Sequence, residues 1–140
     1  MFFQTTRDTG QANYESKDYT FSSPPVMRSM RRVQDDIRII LTSVDNENAA
    51  GKLARGLVDA RLAACVQISA KGVSVYRWQG TVQNDAEYYL SIKTCAENEA
   101  QTIGWLEEHH PYEIPEIICL QGTSAEAYGA WLRNEVMPAS

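Results

Sequence analysis

The stretch VSVYRWQGTVQNDAEYYLSIK, residues 73–93, decides the fold of this chain. Apolar and polar side chains alternate on both sides of the Gln79-Gly80 pair, and this period of two is typical of β-strands with one buried face. The Gln79-Gly80 pair between the two runs is predicted to reverse the chain. The sequence therefore predicts a β-hairpin that begins near Leu62, bends at Lys71-Gly72 and ends at Thr94.

The length of this hairpin indicates an oligomer. In a chain of 140 residues, one helix covers only part of such a strand pair, so the tip is expected to project beyond the sheet. The side chains that a single small sheet would leave uncovered are Val73, Val75, Tyr76 and Trp78. Because exposed strand edges and apolar strand faces are usually paired or covered, we expect a partner subunit beneath the tip.

A strand and a helix are predicted before the hairpin. Residues 37–44 (IRIILTSV) are short and β-rich, which indicates a strand, and Asp45 is the expected N-cap of the following helix. Apolar residues then recur at helical spacing, at Ala50, Leu53, Ala54, Leu57 and Val58. Gly51 and Gly56 weaken this helix but let it approach a sheet closely.

Two helices and a strand are predicted after the hairpin. The capping boxes Thr94-x-x-Glu97 and Thr123-x-x-Glu126 mark the helix starts, and Pro111 ends the first helix. Residues 114–120 form the predicted strand, entered through Pro115. In the terminal helix the residues expected to face inward are Tyr128, Trp131, Leu132 and Val136. The order β-α-β-β-α-β-α predicts an α+β, ferredoxin-like split βαβ sandwich, in which helices cover one face of an antiparallel sheet.

Residues 1–36 differ from the rest of the chain. They are rich in Ser, Thr, Asp, Gln and Arg, sustain neither helical nor strand periodicity, and lack the apolar core of a secretory signal. We therefore expect a flexible N-terminal extension, 1–36, followed by one folded domain, 37–140.

Composition narrows the class of function. The net charge of -5 argues against binding to nucleic acid or to an anionic membrane surface. The three cysteines form no metal-ligand spacing, which favours free thiols in a reducing cytoplasm, each acting as a small buried hydrophobe rather than a reactive group. Neither a nucleophile elbow nor a phosphate-cradling loop nor an HExxH motif occurs, so the sequence does not predict an enzyme.

Five segments together resemble the CutA divalent-cation (copper) tolerance family. In that family's order and spacing they are LAACVQI (62–68), SVYRWQG (74–80), IKT (92–94), HPYEIPEII (110–118) and YGAWL (128–132). The resemblance runs from about Ile37 to the C-terminus, and the first 36 residues have no counterpart in it. It implies a ferredoxin-like fold, a stable homotrimer related in fold to the PII signalling proteins, and a role in tolerance of copper and other divalent metal ions. It implies no settled biochemical activity.

The resemblance also implies candidate metal ligands. In family members proposed to bind copper, these are two adjacent histidines, here His109 and His110, and a cysteine near the end of the first strand, whose position is Leu41 here. Imidazole with nearby carboxylates suits Cu(II) or another divalent cation. We expect no metal ion to be obligatory. The alternative is structural: histidines favour a helix C-terminus through the helix dipole, and His110 would then hydrogen-bond a backbone carbonyl.

A second candidate site is a cleft between subunits. If the hairpin tip reaches the turn at 110–116, aromatic, basic and acidic side chains would converge there, namely Tyr76, Trp78, Lys93, Tyr112, Glu113 and Glu116. Such a cleft could hold a small anion or a metabolite, or these residues could simply join the subunits. Two functions therefore stay open: a metal-binding tolerance protein, and a PII-like trimeric signalling or scaffold module that binds a small molecule or a protein partner.

Overall fold

The computed structural model describes residues 34–136. Five strands are present in this part of the chain: β1 (Gln34–Val44), β2 (Cys65–Ile68), β3 (Gly72–Trp78), β4 (Thr81–Cys95) and β5 (Ile118–Ser124). The α-helices are α1 (Glu47–Asp59), α2 (Glu99–His109) and α3 (Glu126–Val136), and a 3-10 turn, Ala96–Asn98, precedes α2. Most of the predicted extension, residues 1–33, lies outside the described residues, so the proposed domain division stays a prediction.

The strands form one antiparallel sheet in the order β2-β4-β1-β5, and β3 pairs with β4 beyond the end of β2. The two crossover connections run through α1 and α2, which gives the split βαβ arrangement of the ferredoxin-like fold. The predicted fold class is therefore confirmed.

The hairpin projects beyond the sheet as predicted. Strand β1 accompanies β4 only as far as the Val44–Tyr88 pair, whereas β3 pairs with β4 from Glu87 to the tip. At the tip, Gln79 and Gly80 have φ angles of 48° and 80°, both positive, as a two-residue turn that matches the twist of the strands requires. The ribbon of β3 and residues 81–87 therefore has no third strand within the described chain.

The core lies between the sheet and helices α1 and α2. Ile40 and Ile92 are cross-strand partners on the helix-facing side of the sheet, and both are fully buried. The helices contribute side chains at helical spacing to this cluster: Ala50, Leu53, Leu57 and Leu106. A second cluster joins Leu132 and Val136 of α3 to the pair Ile37–Cys95, with Tyr128 and Trp131 packed against it, so the predicted inward face of the last helix is confirmed.

The two glycines of α1 do not act as expected. A Cβ on Gly56 would lie 2.7 Å from two ring atoms of Trp105, so this glycine permits close contact with α2 rather than with the sheet. Gly51 faces open space.

Three helix starts differ from the prediction. Asn46, not Asp45, caps α1, since its side-chain oxygen accepts a 2.7 Å hydrogen bond from the Ala49 N–H. The box at Thr94 is wrong because Thr94 lies within β4, paired with Arg38 and fully buried. The box at Thr123 is wrong for the same reason, since Thr123 belongs to β5. In both capping boxes, the threonine that the local pattern predicts as a helix cap lies in a strand instead, because its backbone pairs with a neighbouring strand.

Two strand boundaries also shift. Strand β1 begins at Gln34, three residues before the expected start, because it pairs with Ser124 at that end. The last strand was expected at residues 114–120 and is found at Ile118–Ser124. Its pairing with β1 begins only at the Leu41–Ile118 pair, and Pro115, which has no N–H to donate, stays in the preceding loop.

Candidate functional site

Helix α2 ends at the two histidines, and they occupy different environments. His109 is the last helical residue and His110 is already extended, with φ -69° and ψ 135°, which is the conformation favoured before a proline. His109 is exposed, and its ring stacks on Trp105 with centroids 4.0 Å apart. Its Nδ1 lies 2.8 Å from the Trp105 carbonyl oxygen. A carbonyl only accepts, so Nδ1 carries a proton, and in the neutral ring the lone pair is on Nε2.

His110 is buried, with 8% of its surface exposed. Its Nδ1 accepts a 3.1 Å hydrogen bond from the Tyr112 N–H, so Nε2 carries the proton and donates to the Ser43 carbonyl oxygen at 2.9 Å. Both ring nitrogens are thereby occupied. Burial lowers the pKa of His110, against the opposing effects of the Ser43 bond and the nearby Glu87 carboxylate, so this imidazole is neutral. Through these two hydrogen bonds, His110 connects the loop after α2 to the end of β1.

That loop forms one wall of a cleft of about 800 Å³. The ribbon supplies a second wall, with Tyr76 and Trp78 on one face of β3 because they are two positions apart. Of the six residues predicted to form the cleft, five line it within a single chain: Tyr76, Trp78, Tyr112, Glu113 and Glu116. Lys93 does not line this cleft. It pairs with Cys65 and Ile39 in the sheet, and its ammonium donates a 2.7 Å hydrogen bond to Gln67.

The cleft is more acidic than the sequence pattern indicated. Besides Glu113 and Glu116, its lining includes Asp45, Asp85 and Glu87, and no lysine or arginine of the described chain. This lining argues against the small anion considered above. Asp85 and Glu87 were missed, although the two-residue turn fixes the register that places them opposite Ser74 and Gly72 and so on the wall with Tyr76.

The two tyrosines of the cleft are hydrogen-bond donors to its carboxylates. Tyr76 donates to Asp85, and this bond, with burial and the negative charges nearby, raises the tyrosine pKa. The Tyr112 hydroxyl lies 3.5 Å from Glu87 Oε1. Burial first and the Glu87 charge second raise the pKa of Tyr112 far above its ordinary value. Both phenols therefore stay protonated at neutral pH.

Comparison with known proteins places this geometry in a family. Residues 38–135 match the family model "CutA1 divalent ion tolerance protein". The chain belongs to the CutA1 family.

Relatives and solved structures agree with this assignment. The divalent-cation tolerance protein CutA of Thermus thermophilus is 38% identical over 97 residues, which cover 69% of this chain and 94% of that protein. The chloroplastic protein CutA of Arabidopsis thaliana is 35% identical over 125 residues, 89% of this chain and 67% of that protein. The structure of CutA from Synechococcus elongatus superimposes with a TM-score of 0.71 at 39% identity, over 75% of this chain and 96% of that one. A second structure of the Synechococcus protein is described as complexed with a Bis-Tris molecule. None of these names specifies a reaction.

The donors in the described part of this CutA1 chain do not form a complete metal site. Among residues 34–136, no three His, Cys, Asp or Glu side chains come close enough together to hold an ion. His110 offers no free nitrogen, and Leu41, half-buried between Ser91 and Ile118 in the sheet, offers no donor. Of the ring nitrogens in the two histidines, only Nε2 of His109 has no hydrogen-bond partner in the described chain. The two histidines therefore cannot bind one ion together in this arrangement.

The cysteines behave as small hydrophobes. None of the three is in a disulfide, with Cys65 and Cys95 buried and Cys119 half-buried. Burial raises the pKa of each thiol, and a hydrogen bond with Glu99 helps to bring that of Cys119 to about 11. A raised pKa keeps the reactive thiolate scarce.

A helix crosses a bilayer only if it is about 20 residues long and predominantly apolar. Within residues 34–136, no helix is long and apolar enough to cross a membrane.

Proposed function

We propose that this CutA1 protein contributes to the tolerance of copper and other divalent cations as a homotrimer. The observation that carries the proposal is the match of almost the whole described chain to the divalent ion tolerance family. We expect it to act in the cytoplasm, since three cysteines outside any disulfide suit a reducing compartment, and we expect no catalysed reaction.

Exposed apolar surface supports the trimer. On the ribbon, Val73, Val75 and Val82 are each more than half exposed. On the outer strand β5, Ile118 and Leu120 are each 46% exposed and sit beside their half-buried partners Leu41 and Ile39 in β1. Such a surface on a strand edge and an adjoining face is usually covered by a partner. Light scattering at micromolar concentration should give three times the chain mass, and a monomer would refute the trimer.

Metal binding is proposed to use His109 rather than the histidine pair. Its Nε2 lone pair is open, whereas the remaining ligands must come from carboxylates or from a neighbouring chain. Imidazole and carboxylate donors favour Cu(II) over Zn(II), without the strong Cu(I) preference that a thiolate confers. Binding should weaken as pH falls through the histidine range, because the ligand must be neutral.

Calorimetric titration of Cu(II) into matched variants tests this assignment. His109→Ala should remove saturable binding. His110→Ala should retain it at temperatures where that variant is folded. Retention in His109→Ala, or tight binding of Cu(I) by the wild type, would show that the metal site lies elsewhere.

A second function is favoured by the cleft. A volume of about 800 Å³ lies within the range of small-molecule sites, and such sites combine aromatic walls with a few polar groups. The Synechococcus relative in complex with Bis-Tris, an amine with several hydroxyl groups, shows that a protein of similar fold takes up a small molecule. On this account the protein is a PII-like trimeric signalling or scaffold module that responds to a ligand at its cleft.

A further inference from the structure

One carboxylate of the cleft is buried without a full set of partners. Glu87 is only 6% exposed. Its Oε1 receives one long hydrogen bond from the Tyr112 hydroxyl, at 3.5 Å, and its Oε2 has no hydrogen-bond partner within the described residues. A buried carboxylate oxygen without a donor is unfavourable, because burial removes the water that would otherwise solvate it. Glu87 therefore presents an unpartnered acceptor oxygen in the cleft.

The groups around Glu87 do not supply a positive charge. The neighbouring titratable side chains are Asp45 from the end of β1, Asp85 from β4, and Tyr112, Glu113 and His110 from the loop. The tyrosine is protonated and neutral, and the histidine is neutral with both nitrogens committed. Among the described lining residues there is no lysine or arginine. The carboxylates of the cleft thus have no positive side chain of the described lining to balance them.

The other walls are aromatic. Tyr76 and Trp78 lie along one face of β3, 42% and 44% exposed, and Tyr112 lines the cleft with its hydroxyl 3.5 Å from Glu87 Oε1. The hydroxyl of Tyr76 binds Asp85, two residues from Glu87. Aromatic ring faces attract cations through their quadrupole. A buried carboxylate with an open oxygen near two tyrosine rings matches a positively charged ligand that carries N–H donors.

We propose that this cleft binds a small organic ammonium ion, with Glu87 accepting its N–H donors and Tyr76 and Tyr112 lying against its alkyl part. A metal ion fits less well, because no three potential ligands of the described chain converge there. The inference specifies the ligand class of the second function proposed above and does not depend on metal binding at His109.

Titration calorimetry with 1,4-diaminobutane tests the proposal on the full-length protein. Its neutral counterpart, 1,4-butanediol, has the same chain length and an O–H donor at each end but no charge. We expect saturable binding of the diamine and none of the diol. Glu87→Gln keeps the shape of the side chain and removes its charge, and it should weaken the diamine by about tenfold or more, the usual effect of losing a charged hydrogen bond.

Two controls separate the carboxylate from general charge and from folding. Glu126→Gln removes an exposed charge outside the cleft and should change affinity about twofold at most. Tyr76→Leu should weaken the diamine by about threefold while Tyr76→Phe retains most of the affinity. Since Tyr76 is 42% exposed on the ribbon, this pair reports on binding even if Glu87→Gln does not fold.

Three results would overturn the proposal. The first is a wild type that binds no diamine, which is the result expected if a cationic side chain of a neighbouring subunit already fills the cleft. The second is Glu87→Gln or Tyr76→Leu binding the diamine as tightly as the wild type. The third is binding of the diol, or of citrate as an anionic probe, in preference to the diamine, which would preserve a ligand-binding cleft but refute the ammonium class.

Discussion

Replacing His110 by alanine should destabilise the protein far more than the same change at His109. His110 is 8% exposed and makes hydrogen bonds through both ring nitrogens, to the Ser43 carbonyl and from the Tyr112 N–H. Each such bond contributes about 1 kcal/mol, and its loss leaves a buried partner unsatisfied. Together with the cavity left by the ring, the expected loss is about 2–4 kcal/mol.

His109→Ala is the matched control. This ring is exposed, stacks on Trp105 and makes one hydrogen bond to the carbonyl oxygen of that residue. Its removal should cost about 1 kcal/mol or less. Urea denaturation followed by circular dichroism gives both values at one pH and one protein concentration, which matters because an oligomer's stability depends on concentration.

The two variants should also differ in pH dependence. Because burial lowers the pKa of His110 below its ordinary 6.5, the unfolded chain binds more protons than the folded one between these two pKa values. Stability from this residue is therefore complete above 6.5 and is lost as pH falls from 6.5 towards the folded value, at up to about 1.4 kcal/mol per pH unit. His110→Ala should lack this slope and His109→Ala should keep it. Equal stability of the two variants, or an unchanged slope in His110→Ala, would refute the reasoning.

Three further predictions concern the backbone and the extension. Gly56→Ala should destabilise the protein, because the new methyl group would lie 2.7 Å from the Trp105 ring. Gly51→Ala meets open space and should stabilise the protein by about 0.5–1 kcal/mol through helix propensity. Thermal melts of both variants test this pair. Gly80→Ala should cost about 1 kcal/mol, since φ is 80° there and an L-residue is strained in that conformation; an unchanged melting temperature would contradict the turn geometry. Deletion of residues 1–30 should leave the melting temperature and the oligomer mass unchanged, because that segment lacks periodic apolar positions; a large loss of either would show that it docks on the folded domain.

Part of the cleft follows from local pattern. A period of two places Tyr76 and Trp78 on one strand face, and the two-residue turn pairs Trp78 with Thr81, from which Glu87 must lie opposite Gly72. The same register excludes Lys93, which lies six residues further along β4 than Glu87 and hence about 20 Å away. The strand register thus places Glu87 on the cleft wall. Its burial and its unsatisfied oxygen depend on the loop at Tyr112, whose position no local sequence pattern predicts.

The histidine pair shows the same division. Sequence places both residues at a helix end, since Pro111 cannot continue the helix. Only the tertiary structure distinguishes them. Both ring nitrogens of His110 make hydrogen bonds, one of them to the Ser43 carbonyl oxygen of β1, whereas only one ring nitrogen of His109 does.

By itself, the sequence determined the elements whose signals are local: the turn at Gln79-Gly80, the apolar faces of the helices, the order of strands and helices, and hence the ferredoxin-like class. Tertiary structure alone decided where long-range pairing overrides a local preference. Thr94 and Thr123 carry capping patterns but lie in strands, because continuing the sheet ladder satisfies their backbone groups with partners distant in sequence. It also brought the carboxylates of three separate segments into one cleft, since the positions of charges relative to one another depend on the packing of the loop against the ribbon and not on either segment alone.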